Sequence, residues 1–106
     1  MTLATLHCAP GGQAKKLDDA AIETNLASLN GWSRVGNTIC KTFPFKNYHE
    51  TMAFVNASAW VSHREDHHPD LGVHFNRCVV SYSTHDAGGV TLNDFICAAK
   101  LDALKP

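Results

Sequence analysis

Two β-hairpin signals flank a long stripe of helical period, and a chain carrying both has few ways to bury them. The first signal runs from Trp32 to Val35, turns at Gly36-Asn37 and returns over Thr38 to Phe45, where Ile39, Phe43 and Phe45 recur at even spacing. Pro44 confines the end of that second strand to an edge or a bulge. The second signal is the stretch Leu71 to Thr84, rich in strand formers (Val73, Phe75, Val79, Val80, Tyr82) and divisible by a turn at Asn76-Arg77. Between them Tyr48, Met52, Val55 and Ala59 form one apolar stripe, widened by Phe54 and Val61. Asn47, with Glu50 three residues on, predicts the start of this helix, and Pro69 predicts its end by about Asp66 or His67, because the residue before a proline disfavours the α conformation.

Two further helices complete the pattern. Asp18 is a natural N-cap for a helix bearing Ile22, Leu26 and Leu29 and stopped by Gly31. After the break at Gly88-Gly89, Thr91 with Asp94 three residues later introduces a helix over Phe95 to Leu104, with Ile96, Ala99 and Ala103 on one face. The order α-β-β-α-β-β-α predicts an α+β fold of two layers, a four-stranded antiparallel sheet with three helices on one face. A chain of 106 residues has room for one such unit. Residues 1–14, with Pro10, Gly11 and Gly12 and no sustained periodicity, read as a flexible N-terminal arm, and 15–106 as a single domain.

Composition narrows the function. With 44% hydrophobic and 18% charged residues the chain has the make-up of an ordinary globular protein, and a formal net charge of −1 argues against a nucleic-acid partner. No apolar run reaches membrane-spanning length and no hydrophobic signal core is present, so a cytoplasmic protein without a membrane partner is expected. Cys8, Cys40, Cys78 and Cys97 stand singly at wide spacing, which predicts free thiols rather than a disulfide framework or a zinc site. Histidine is out of proportion: seven residues, against nine lysines and arginines together.

His63, His67 and His68 bunch where the second helix ends, and His85 lies where the last strand hands over to the Gly-Gly turn. Such ends converge on one rim of a two-layer fold, and Glu65, Asp66 and Asp94 put carboxylates within reach of it. Imidazole both gives and takes protons near neutrality, and a carboxylate partner fixes its tautomer. His63-Arg64-Glu65-Asp66-His67 superficially suggests the helical zinc motif, but Arg64 stands where the glutamate is needed and no third ligand follows from spacing, so no metal is expected. His7, His49, His63 and His74 read as ordinary exposed or helix-terminal residues, and Asp94 as a helix cap that also has a chance to serve the site.

His67-His68-Pro69, the aromatic at Phe75, His85 preceded by Ser83-Thr84, and Asp94 nine residues after His85 together resemble the signature of the pterin-4a-carbinolamine dehydratase family. Gly31-Trp32, Phe43, Phe45-Lys46, Phe54, Asp86, Gly88 and Gly89 are similar as well, so the resemblance covers roughly residues 15–104. It implies a homodimer or homotetramer that dehydrates 4a-hydroxytetrahydropterin to quinonoid dihydropterin, in recycling of the tetrahydropterin used by aromatic amino-acid hydroxylases. Water leaves C4a once its oxygen is protonated and the neighbouring nitrogen loses a proton, which calls for an acid and a base at neutral pH. Carried over, the resemblance gives His67 and His85 proton transfer and gives His68 chiefly binding of the pterin. Asp66, Pro69, Thr84 and Asp94 then bind the substrate or orient the histidines. No cofactor is implied, because the pterin is the substrate.

The chain departs from the family at Leu71, where tryptophan is frequent, at His63, where an acid is common, and at Asn93, where a base is common. The first bears on one aromatic wall of the pocket, the others on binding or pH dependence. Relatives of this kind also stabilise dimers of a homeodomain transcription factor or assist assembly of a carbon-fixing enzyme. The alternative expectation is therefore an interaction protein working through the apolar faces of the second and third helices, with little or no catalysis.

Overall fold

The structure is a computed structural model and describes residues 2–104. Helices α1 (Asp19–Ala27), α2 (Tyr48–Glu65) and α3 (Leu92–Asp102) alternate with strands β1 (Ser33–Val35), β2 (Thr38–Pro44), β3 (Asp70–Val73) and β4 (Arg77–Tyr82). The strands form one antiparallel sheet in the order β1-β2-β4-β3. The α+β architecture expected from the sequence is therefore the one present.

Period-2 burial sets the sheet's working face. Ile39 pairs with Tyr82 and Phe43 with Cys78, and these residues together with Val80 point into the core. There they meet Ile22 of α1, Phe54 and Val61 of α2, and Phe95, Ala98 and Leu101 of α3, so all three helices lie against the same face. Phe54 stacks on Phe43 at 4.6 Å between ring centres, and Trp32 closes the far end of the core with its indole N–H on the Asp102 carboxylate. Lys41 holds the inward position opposite Val80, and its ammonium group is satisfied by Asp102 Oδ1 and the Asn30 carbonyl, both at 2.8 Å.

Side-chain caps place the helices where the sequence suggests. Asp18 Oδ1 accepts from Ala21 N–H at 2.8 Å, and Asn47 Oδ1 from Glu50 N–H at 2.9 Å. Three local expectations shift. The helix expected from Phe95 begins at Leu92, because Thr91 and Asp94 close a full capping box one turn earlier. The turn expected at Asn76-Arg77 occupies 74–76 instead: His74 N–H bonds to the Arg77 carbonyl at 2.9 Å, and Arg77 already pairs with Pro44. The largest difference is the segment read as a flexible arm. Residues 2–14 lie along α3 through the turn Leu3–Thr5, with Lys100 Nζ on the Ala4 carbonyl at 2.8 Å, and with Asn93 exchanging two hydrogen bonds with the Ala9 backbone at 2.8 and 3.0 Å. Side-chain-to-backbone bonds of this kind leave no periodic trace in the arm's own sequence. Met1 lies outside the described residues.

Candidate active site

Three chain reversals bring the candidate residues together. Helix α2 ends by turning through Asp66, the one non-glycine residue with positive φ among the described residues (φ 52°), and the His67 N–H folds back onto the Ser62 carbonyl at 3.2 Å. The chain then runs extended through His67, His68 and Pro69 into β3. Past β4, Thr84 bridges to Gly89 across the single 3₁₀ turn His85–Ala87, which closes through Gly88 at φ 74°. Asp94 sits in the first turn of α3.

Asp94 is the centre of this arrangement. It is wholly buried, and its oxygens have three hydrogen-bonding neighbours: Oδ1 lies 2.6 Å from His67 Nε2, while Oδ2 accepts from the Thr84 hydroxyl and from the Thr91 N–H, each at 2.9 Å. Because the Thr84 hydroxyl donates to Asp94, its oxygen accepts from the Thr91 hydroxyl at 2.8 Å, and Thr91 in turn accepts from Asn93 N–H at 3.2 Å. An acceptor-only carboxylate at Nε2 selects the tautomer in which Nε2 carries the proton, leaving Nδ1 as a basic nitrogen. The imidazole also lies nearly parallel to the Tyr82 ring, 5.7 Å between centres and 17° between planes, so both its position and its tilt are set.

Tyr82 itself is wholly buried, and its hydroxyl has no hydrogen-bond partner among the described residues. Burial, then the nearby Cys97 and Cys8 thiols and the Asp94 carboxylate, push this phenol well above its ordinary value. It remains a neutral platform beneath His67.

In front of His67 is a cleft of about 190 Å³ lined by Asp66, His67, His68, Ser83, Thr84, His85 and Asp86. Five of the residues singled out from sequence thus share one wall system. Two do not line it: Pro69 lies in the extended run beside the cleft, and Asp94 is wholly buried and in contact with His67. Glu65 is also displaced from the expected rim. It faces away, accepting from Cys8 N–H at 2.8 Å and standing 2.9 Å from His7 Nδ1. Burial pushes its carboxyl up, but the Cys8 and His7 hydrogen bonds and the Lys100 charge outweigh this and hold it below its ordinary value. His63 contacts only the edge of Trp60 among the ring contacts, away from the cleft. Ser83 and Asp86, which the family resemblance includes without a role at the site, also line the cleft on either side of the Thr84-His85 pair. Among the described residues no group of three or more His, Cys, Asp and Glu is arranged to hold a metal ion.

An imidazole held by a buried carboxylate, with two further imidazoles at the rim of a small cleft, is equipment for moving protons, the defining feature of general acid–base enzymes. Residues 15–104 match the family described as pterin 4 alpha carbinolamine dehydratase, and the chain belongs to that family of hydro-lyases. A protein of Chromobacterium violaceum provisionally named pterin-4-alpha-carbinolamine dehydratase is 57% identical over 104 residues, covering 98% of this chain and 96% of its own. One of the same provisional name from Nitrosospira multiformis is 55% identical, covering 96% and 91%. Among solved structures, a transcriptional coactivator/pterin dehydratase from Brucella melitensis superposes with a TM-score of 0.84 at 30% identity, over 87% of this chain and all of that one. A pterin dehydratase-like protein identified as a RuBisCO assembly factor in the alpha-carboxysome gives 0.61 at 26% identity, over 71% of this chain and 89% of its own.

Proposed function

We propose that this protein dehydrates 4a-hydroxytetrahydropterin to quinonoid dihydropterin and water, with His67 and His85 transferring the protons. The observation that carries the proposal is the 2.6 Å contact between His67 Nε2 and the buried Asp94 carboxylate at the wall of a cleft shared with His68 and His85. Asp94 keeps Nε2 protonated, so Nδ1 of His67 is the base that takes the proton from the ring nitrogen beside C4a. His85, exposed on the facing turn, delivers a proton to the departing hydroxyl. The C4a–O bond breaks, the nitrogen lone pair forms the new C=N bond, and water leaves. His68, with Asp66 and Thr84, binds and orients the pterin, and Pro69 fixes the extended path that presents His67 and His68 to it.

Acid–base assistance of this kind contributes about 10²–10⁴-fold. A spectroscopic assay on freshly generated 4a-carbinolamine, read against its spontaneous loss of water, tests the assignment. His67→Ala and His85→Ala should each fall toward that background while folding normally, and His68→Ala should raise KM more than it lowers kcat. Wild-type turnover in the first two variants would refute the roles given to them.

The same chain works as a homodimer or homotetramer in the cytoplasm, in recycling of a tetrahydropterin used by aromatic amino-acid hydroxylases. Supporting the oligomer, α2 presents Trp60, 66% exposed, and Tyr48 on its outer side. No helix among the described residues is long and apolar enough to cross a membrane. In a second reading, a protein partner docks on the outer helical face, away from the cleft; the solved relatives described as a transcriptional coactivator/pterin dehydratase and as a RuBisCO assembly factor support a partner-binding role.

A further inference from the structure

The N-terminal arm brings a second reactive group onto α3, outside the cleft. Cys8 Sγ lies 3.5 Å from Cys97 Sγ and 3.6 Å from the Asn93 carbonyl. This approach is built in rather than incidental. The backbone on either side of the Cys8 thiol is pinned, by Cys8 N–H on Glu65 Oε1 at 2.8 Å and by the two bonds between Ala9 and Asn93. Cys97 is wholly buried on α3, whereas Cys8 is half-buried and the more accessible of the two. Closing the sulfurs to about 2.05 Å needs a shift of roughly 1.5 Å, and it falls on an arm that belongs to no long helix or strand. The other two thiols have different surroundings: Cys40 has the hydroxyls of Thr38 and Ser81 as its sulfur neighbours, and Cys78 is wholly buried, its thiol pushed up by burial.

We propose that Cys8 and Cys97 are an oxidisable dithiol, closed to an intramolecular disulfide by hydrogen peroxide. The Cys8 sulfur attacks the peroxide, forming S–O as O–O breaks, and the released hydroxide takes the Cys8 thiol proton to leave as the first water. The Cys97 sulfur then attacks the resulting sulfenic acid, forming S–S as S–O breaks, and its proton leaves with the hydroxide as a second water. Two thiols lose two electrons in total and one peroxide becomes two waters. The Cys8 thiol and burial push the Cys97 thiol up, so Cys97 keeps its proton and Cys8 is oxidised first. The bond spans 89 positions of sequence and fastens the arm to the helix that carries Asp94. Cys8 lies outside the residues matched by the family, and the dithiol is independent of the pterin assignment.

The test uses the full chain treated with a few equivalents of hydrogen peroxide, then alkylated. The intact monomer should lose the mass of two hydrogens and keep two alkylatable thiols of its four. Trypsin should yield peptides 1–15 and 78–100 joined. Since the second peptide also contains Cys78, fragmentation must place the link on Cys97; Cys78→Ser should retain the link and Cys8→Ser should abolish it. The thermal midpoint should rise by about 10 °C and return with dithiothreitol. Four free thiols after treatment, a link mapped to Cys78, joined peptides only between different molecules, or Cys8 carried on to sulfinic acid without a link would each overturn the proposal.

Discussion

Asp94 shows how much one side chain can be asked to do. Its carboxylate begins α3, collects the Thr84 hydroxyl and holds His67 in one tautomer. Asp94→Asn should therefore cost more than a hydrogen bond: the amide N–H₂ would donate to Nε2, forcing the proton onto Nδ1 and removing the base. A loss of roughly 10²-fold or more in turnover is expected, with a smaller loss of stability, measured by the dehydration assay beside urea unfolding. Tyr82→Phe should run the other way. Its hydroxyl is buried with no hydrogen-bond partner among the described residues, so removing it should stabilise the fold by about 1 kcal/mol while leaving the ring under His67 and the activity intact. Urea midpoints of the two proteins check this.

At the scale of elements, the arm and the two helices it spans behave as one clasp, and Glu65 is its ionisable part. Its carboxyl titrates lower in the folded protein than the ordinary value of 4.5. Its contribution is thus fully present above about pH 4.5 and fades as pH falls through the lower folded value. Denaturant midpoints measured from pH 6 down to pH 3 should show this loss in the wild type, and Glu65→Gln should flatten the slope while lowering stability by about 1 kcal/mol at neutral pH. None of this was visible in the sequence. The caps at Asp18, Asn47 and Thr91 were legible because each acts within three or four residues. The contacts of His67 with Asp94 and of Cys8 with Glu65 join positions 27 and 57 apart, and no local pattern encodes them. Glu65 and Asp66 are neighbours in sequence, yet the left-handed turn at Asp66 sends one to the arm and the other to the cleft.

For the whole molecule, the element order was enough to specify the sheet and its helical layer, since hairpins pair with themselves and the helices cover one face. The core side of α2, however, is Thr51, Phe54, Ser58 and Val61, whereas Tyr48 and Ala59 of the expected stripe are exposed and Met52 and Val55 only half-buried. The histidine cluster was legible for the same reason: strand and helix ends of a two-layer fold meet at one rim. What the order leaves open is assembly. The outer side of α2 carries Trp60 beside His63, at a distance from the cleft. Trp60→Glu should shift the proposed oligomer toward monomer, read by light scattering at micromolar concentration, while the cleft residues of each chain stay in place. An unchanged mass would put the self-contact elsewhere.

The placement of Asp94 in a helix's first turn also has a consequence for heat. Local opening costs less than global unfolding, and any opening of this buried, capped first turn releases the brace of His67. Warming should thus silence the enzyme before it unfolds, with turnover declining as the Thr91 amide begins to exchange with solvent, while the sheet beneath remains closed.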